Sequence, residues 1–246
     1  MAEHPYEHPY EHPLEPPPPF PLAVRGDLGT PPGRWLWLVK WLLAIPHYIV
    51  LFFLWIGFVV TTVIAFFAIL FTGRYPRQLF DFAVGVLRWG WRVSFYSYGV
   101  LGTDRYPPFT LAEVADYPAG LSIRYPETLS RGLVLVKWWL LAIPHYLVLA
   151  AFSGGVYLAS RSADTSDRPE AIGLIGVLVL IVAVALLFTG VYPRGIFNFL
   201  MGVQRWSLRL VCYTALLTDV YPPFRLDQGG NEPGTDQQPD YPARTA

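Results

Sequence analysis

Two histidines stand in surroundings where an ionisable group is unusual. His47 and His145 each follow a proline inside a long apolar stretch, in Leu42-Leu-Ala-Ile-Pro-His-Tyr48 and Leu140-Leu-Ala-Ile-Pro-His-Tyr146. An imidazole titrates near neutrality, so the pair is a candidate for a proton or ligand pathway. A second reading is local. A proline within a helix cannot donate to the carbonyl four residues back, here Leu42 or Leu140, and the ring could satisfy that freed backbone. No acid lies in either apolar run to pair with the histidines, and two of them fall short of the three or four ligands zinc takes.

Arginines form the second candidate set. Asp81, Gly85, Arg88, Arg92 and Tyr96 are spaced as one face of a helix, and Asn198, Gly202, Arg205, Arg209 and Tyr213 repeat the pattern. The rest of each segment is largely apolar, so these groups must meet water, headgroups or partner side chains. A guanidinium fork fits phosphate oxygens, which makes Arg88, Arg92, Arg205 and Arg209 candidates for binding anionic phospholipid. The plainer alternative is interfacial anchoring with a local Asp81 to Arg88 pair. Cys212, the single cysteine, excludes an internal disulfide and reads as a small buried hydrophobe. Asp104 and Asp219 each precede x-Tyr-Pro-Pro-Phe and read as turn initiators. No Gly-rich phosphate loop, nucleophile elbow or His-Glu-x-x-His is present. The expectation is a protein that is not an enzyme, with no catalytic residues, metal or cofactor.

The elements that carry these groups are apolar to a degree uncommon in water. Of 246 residues, 53% are hydrophobic and only 15% charged, with a mean hydropathy of +0.36. From Trp41 to Gly73 there are 33 residues without Asp, Glu, Lys or Arg, and two further runs of 23 follow, Trp138 to Ser160 and Ala171 to Pro193. Runs of this length read as membrane-spanning. Tryptophans at their ends, Trp35, Trp37, Trp41, Trp138 and Trp139, suit the headgroup level. The 18 basic and 18 acidic residues cancel, but both tails are acidic, so the middle of the chain holds the excess of arginine and lysine. Zero net charge gives no argument for nucleic acid. The first residues, Pro-rich and acidic, do not read as a cleavable signal.

The chain is duplicated. Besides the Leu-Leu-Ala-Ile-Pro-His-Tyr block, Phe71-Thr-Gly-Arg-Tyr-Pro-Arg77 returns as Phe188-Thr-Gly-Val-Tyr-Pro-Arg194, and Thr103-Asp-Arg-Tyr-Pro-Pro-Phe109 returns as Thr218-Asp-Val-Tyr-Pro-Pro-Phe224. The second copy alone contains the polar segment Arg161 to Glu170. These blocks resemble a family of bacterial membrane proteins known as domain of unknown function 4389, over about residues 20 to 226. The resemblance implies a membrane location and duplicated units; it carries no reaction and no site residues.

The expected fold is an all-α membrane protein of two tandem helical units. Residues 1–20 form a disordered His/Pro/acidic tail, 21–111 the first unit, 112–226 the second and 227–246 an acidic tail. Read from the second copy, each unit has helices over about 132–159, 171–190 and 195–217; in the first copy these become 34–56, 58–73 and 77–101. The first two make a hairpin around a turn, and the third is an amphipathic helix in the interface. Short Pro-bounded segments around 21–25, 104–111 and 116–126 read as a small β-rich extramembrane layer. Lysine and arginine counts favour two crossings per unit over three, in the inner membrane, with both termini cytoplasmic. In the tail, Glu3-His-Pro-Tyr repeats every four residues, a spacing at which proline forbids a helix. The leading expectation is a scaffold or accessory subunit of a membrane assembly, in contact with the bilayer and other membrane proteins. A histidine-dependent transporter or channel and an arginine-dependent lipid-handling protein are the alternatives.

Overall fold

The computed structural model describes residues 20–29, 32–153 and 173–231. The Glu-His-Pro-Tyr tail, the polar segment Arg161 to Glu170 and the C-terminal tail beyond residue 231 lie outside the described residues.

The first apolar run folds as a single helix, α1, Trp37–Thr72, of 36 residues. The hairpin expected between 34–56 and 58–73 is absent. Nothing in the run stops a helix, and Gly57, the expected break, is instead a point of close packing: a Cβ there would lie 3.1 Å from Cζ of Phe82. Pro46 is accommodated within the helix. The helix ends on Gly73 at φ 73°, whose N–H returns to the Ile69 carbonyl; Gly190 at φ 69° closes the corresponding helix of the second unit on Leu186.

After α1 the chain turns back through α2, Arg77–Tyr96. The second unit makes the counterpart of α1 in pieces: α3 (Arg131–Val136), a π-helical turn (Lys137–Leu141), α4 (Ile143–Ser153) and α5 (Leu174–Thr189). It then turns back through α6, Arg194–Thr214. Strands β1 (Leu22–Gly26) and β2 (Ala119–Ile123), one ahead of each unit, pair antiparallel, with Leu22 opposite Ile123 and Ala23 opposite Ser122. The expected β layer is thus a two-stranded sheet. The other Pro-bounded segment, 104–111, is not a strand but an irregular arm.

Two helices, Trp37–Thr72 and Arg131–Ala150, are long and apolar enough to cross a membrane, and α5 is a shorter apolar helix. α1 buries one narrow stripe, including Ala44, His47, Leu51 and Ala65, and leaves apolar residues such as Phe53, Val60 and Phe71 exposed along its length. The core lies between that stripe, α2 and α6, and the sheet, and includes Trp91, Phe95, Met201 and Leu121.

Candidate functional site

The residues singled out by type and spacing assemble once in each unit, around an arm that follows α2 or α6. In the first unit His47 is fully buried and its Nδ1 accepts the Trp89 indole N–H at 3.1 Å. The Phe109 ring stacks on the imidazole with centroids 4.0 Å apart and an interplanar angle of 14°. In the second unit the Trp206 indole donates to Nδ1 of His145 at 3.0 Å, and Phe224 stacks at 4.1 Å and 4°. Accepting at Nδ1 places the neutral ring's proton on Nε2. Nε2 of both histidines is buried without a hydrogen-bond partner among the described residues.

The ring therefore does not serve the proline kink. Beside the kink, the tyrosine of Tyr-Pro-Pro-Phe bonds the helix backbone instead: Tyr106 donates its hydroxyl to the Leu43 carbonyl at 3.1 Å, and Tyr221 donates to Leu141 at 3.2 Å, each the neighbour of the carbonyl that proline frees.

A buried lysine, not anticipated from sequence, completes each cluster. Lys40 Nζ donates to the Thr103 carbonyl at 2.7 Å and pairs with Asp104 Oδ1 at 2.8 Å. Lys137 donates to Thr218 at 3.0 Å and pairs with Asp219 at 2.7 Å. The other carboxylate oxygen accepts a backbone N–H at the start of the long helix, from Gly33 in one unit and Ser130 in the other. Asp104 and Asp219 are thus ion-pair and capping groups rather than turn initiators alone. Each ammonium also sits over a tyrosine of the adjacent helix, Tyr96 at 5.0 Å and Tyr213 at 5.5 Å. The signal was present: a lysine embedded in Val-Lys-Trp at the same place in both copies.

Six residues separate Lys40 from His47, but seven separate Lys137 from His145, because the second copy reads Trp138-Trp139 where the first has Trp41 alone. The π turn over Lys137–Leu141 coincides with the extra residue. A π bulge absorbs one residue without rotating the helix beyond it, so lysine and histidine keep the same partners in both units.

The four arginines are turned inward, a correction to their expected place at lipid headgroups. Arg88 donates to the carbonyls of Leu121 at 2.9 Å and Leu111 at 3.1 Å, and Arg92 to Ala112 at 3.2 Å and to Thr110. Arg205 donates to Val24 at 3.2 Å, Gly229 and Asn231 at 3.0 Å, and Asp227. Arg209 pairs with Asp227 at 2.6 Å beneath the Phe20 ring. Strand and arm carbonyls have few mutual partners, and planar forks supply the missing donors. Burial, and then neighbouring Arg88, pull Arg92 below the usual guanidinium value. Asp81 pairs with exposed Arg77 at 3.2 Å, not with Arg88. Gly85 and Gly202 of the same stripe let the arm cross closely, since a Cβ would lie 2.8 Å from Leu111 Cβ or 2.9 Å from Leu226 Cγ.

Two apolar cavities, of about 530 and 460 Å³, border α1; the first is lined by residues such as Tyr48, Trp55, Trp91 and Gln204, the second by Val59, Phe66 and Trp138, and neither includes either histidine or any of the four arginines. Cys212 is buried, and burial pushes its thiol well above the ordinary value, which leaves it a small hydrophobe. Among the described residues no three His, Cys, Asp or Glu side chains gather as a metal site.

The profile of the family described as Domain of unknown function (DUF4389) matches residues 34–110 and 171–225, over half of the chain. No curated protein and no solved structure matches the chain. The two matched segments fall one in each unit, and the chain belongs to the DUF4389 family, with two copies in tandem.

Proposed function

We propose that this protein is a membrane-bound, non-enzymatic accessory subunit: a rigid body held in the bilayer by α1 and its counterpart, with its termini on the cytoplasmic side and its partners other membrane proteins. One observation carries the reading. The groups able to do chemistry, two histidines, two lysines and four arginines, are spent on holding the arms and strands to the helices, while the apolar side chains of α1 stay uncovered. A surface of that kind seeks lipid or another apolar surface, and a catalyst would keep some of its polar groups open to a substrate. Acidic, Pro-rich ends add sequence suited to partner binding.

The test is recovery of the full chain from membranes in mild detergent. Copurification of a membrane protein in constant ratio, reduced when residues 1–19 or 232–246 are removed, is expected; recovery of the lone chain from gentle extraction would overturn the accessory role.

A transporter remains the second reading because both buried Nε2 atoms lack partners among the described residues. Proteoliposome flux of a solute or of protons that is lost in His47→Ala with His145→Ala would establish it.

A further inference from the structure

We propose that α1 and its counterpart α3–α5 lie along the membrane surface rather than across it, so that the chain is seated in one phospholipid leaflet by a single face. The proposal rests on the membrane residence argued above. It comes from the symmetry relating the two units.

In the repeat, Leu22-Ala-Val-Arg25 corresponds to Leu121-Ser-Ile-Arg124. Ala23 and Ser122 are therefore equivalent, and they face each other in the antiparallel pair, flanked by Leu22 opposite Ile123 and Val24 opposite Leu121. An antiparallel pair with this register has a two-fold axis between Ala23 and Ser122, perpendicular to the sheet. Contacts at the helix ends obey the same rotation. Leu129 N–H donates to the Gly73 carbonyl at 2.8 Å, and a Cβ at Gly73 would lie 3.6 Å from Nε of Arg131. Equivalently, Gly190 lies against Nε of Arg34.

A rotation preserves height along its axis. Pro32 is the counterpart of Leu129, as Arg34 is of Arg131, so Pro32 and Leu129 share one height. Leu129 touches Gly73, so Pro32 and Gly73 share it too. These two residues bracket α1, whose 36 residues extend about 54 Å at 1.5 Å per residue. The helix thus runs perpendicular to the axis, and the axis crosses the molecule opposite its midpoint.

Were α1 to run along the bilayer normal, the axis would lie in the membrane plane and the sheet would sit at mid-depth. Exposed Arg25, Arg105, Glu113 and Asp116 surround the sheet, and charges are costly there. With the axis along the normal that difficulty vanishes. The sheet then faces water, and the long helices lie flat, each about 10–12 Å thick against a leaflet of about 15 Å.

The surface fits that seat. On α1 the side opposite the buried stripe exposes Leu42, Ile49, Phe53, Val60, Phe67 and Phe71 from one end to the other. Exposed Arg34, Arg74, Arg131 and Arg194 mark the helix ends, with Trp35 and Trp138 beside them, an edge complementary to phosphate headgroups.

Nitroxide labels at Leu42→Cys, Phe53→Cys, Val60→Cys and Phe67→Cys, in a Cys212→Ser background reconstituted in phosphatidylglycerol/phosphatidylcholine vesicles, read the depth of each position. Relative accessibility to oxygen and to a water-soluble nickel chelate is expected to place all four at one depth, within a single leaflet. A graded profile, deepest near Phe53 and shallow toward the ends of α1, would overturn the in-plane seat while leaving membrane residence intact. All four as open to the nickel chelate as a label at Glu113→Cys would overturn membrane residence itself.

Discussion

Trp206 and His145 are joined by a hydrogen bond of 3.0 Å from indole Nε1–H to imidazole Nδ1, wholly buried between α6 and α4. The bond is the second copy of one between Trp89 and His47 at 3.1 Å. In both, a phenylalanine stacks on the ring's face, so the imidazole is fixed in plane and in tautomer.

Replacing the donor tests the value of that bond. Trp206→Phe keeps an aromatic ring but leaves Nδ1 of His145 as a buried acceptor without a partner, for an expected loss of about 1–3 kcal/mol. His145→Leu with Trp206→Phe removes both polar atoms and is expected to lose less than the single Trp206 change. Denaturant unfolding of the detergent-solubilised variants, read as a double-mutant cycle, measures the difference. Equal losses would mean that packing of the indole, not the bond, is what matters.

The lysine clusters are costlier to break. Lys137 is fully buried and among the described residues its carboxylate partner is Asp219, itself capping the Ser130 N–H. Asp219→Asn leaves an uncompensated ammonium in the interior, a change that costs about 3–5 kcal/mol in buried pairs. Lys137→Met with Asp219→Asn is expected to recover most of it. Thermal unfolding of the two variants beside the parent chain gives the ranking.

Much of this arrangement could be read from the residues, and the parts that could not have physical reasons. Duplication was visible because blocks such as Phe-Thr-Gly-x-Tyr-Pro-Arg recur in one order. The helical spacing of Arg88 and Arg92 identified α2 as amphipathic, but spacing gives no information on what a polar stripe faces, and the acceptors are carbonyls from β2 and the arm. The continuity of α1 is not legible in the repeat, because the polar segment of the second copy suggests a break at the equivalent Gly57, which packs against Phe82 instead. Asp104 reads locally as a turn residue; its partner Lys40 lies 64 positions earlier, and only the fold brings them together.

Alkaline titration should reveal the aromatic interior. Burial raises the hydroxyls of Tyr75, Tyr117 and Tyr192, and Tyr96 is pushed up to about 12, by burial first and then by Asp104. Their folded values lie above the ordinary 10.0, so the native state holds the proton more tightly than the unfolded chain. That stability is complete below pH 10 and is lost as pH rises toward 12. Tyrosinate absorbance should rise in two stages, exposed rings first and the buried set only together with loss of helical circular dichroism. A single early stage would show the rings to be accessible.

The π turn offers a prediction that separates insertion from sequence. Trp139 is the extra residue of the second unit, and the bulge over Lys137–Leu141 absorbs it. Deleting Trp139 restores the first unit's spacing, so the segment can close as plain α-helix while Lys137 still reaches Asp219 and His145 still meets Trp206. The deletion variant is expected to fold with stability within about 1 kcal/mol of the parent, since a strained turn is exchanged for a regular one and one exposed indole is lost. Deleting Val136 instead leaves the bulge in place but turns Lys137 by about 100° relative to the helix start at Ser130, taking Asp219 from either the ammonium or the Ser130 N–H. That variant should lose several kcal/mol, about the cost of breaking a buried pair. Comparable unfolding midpoints for the two deletions would mean that the segment adapts by sliding, and that the bulge is not what keeps the two units in register.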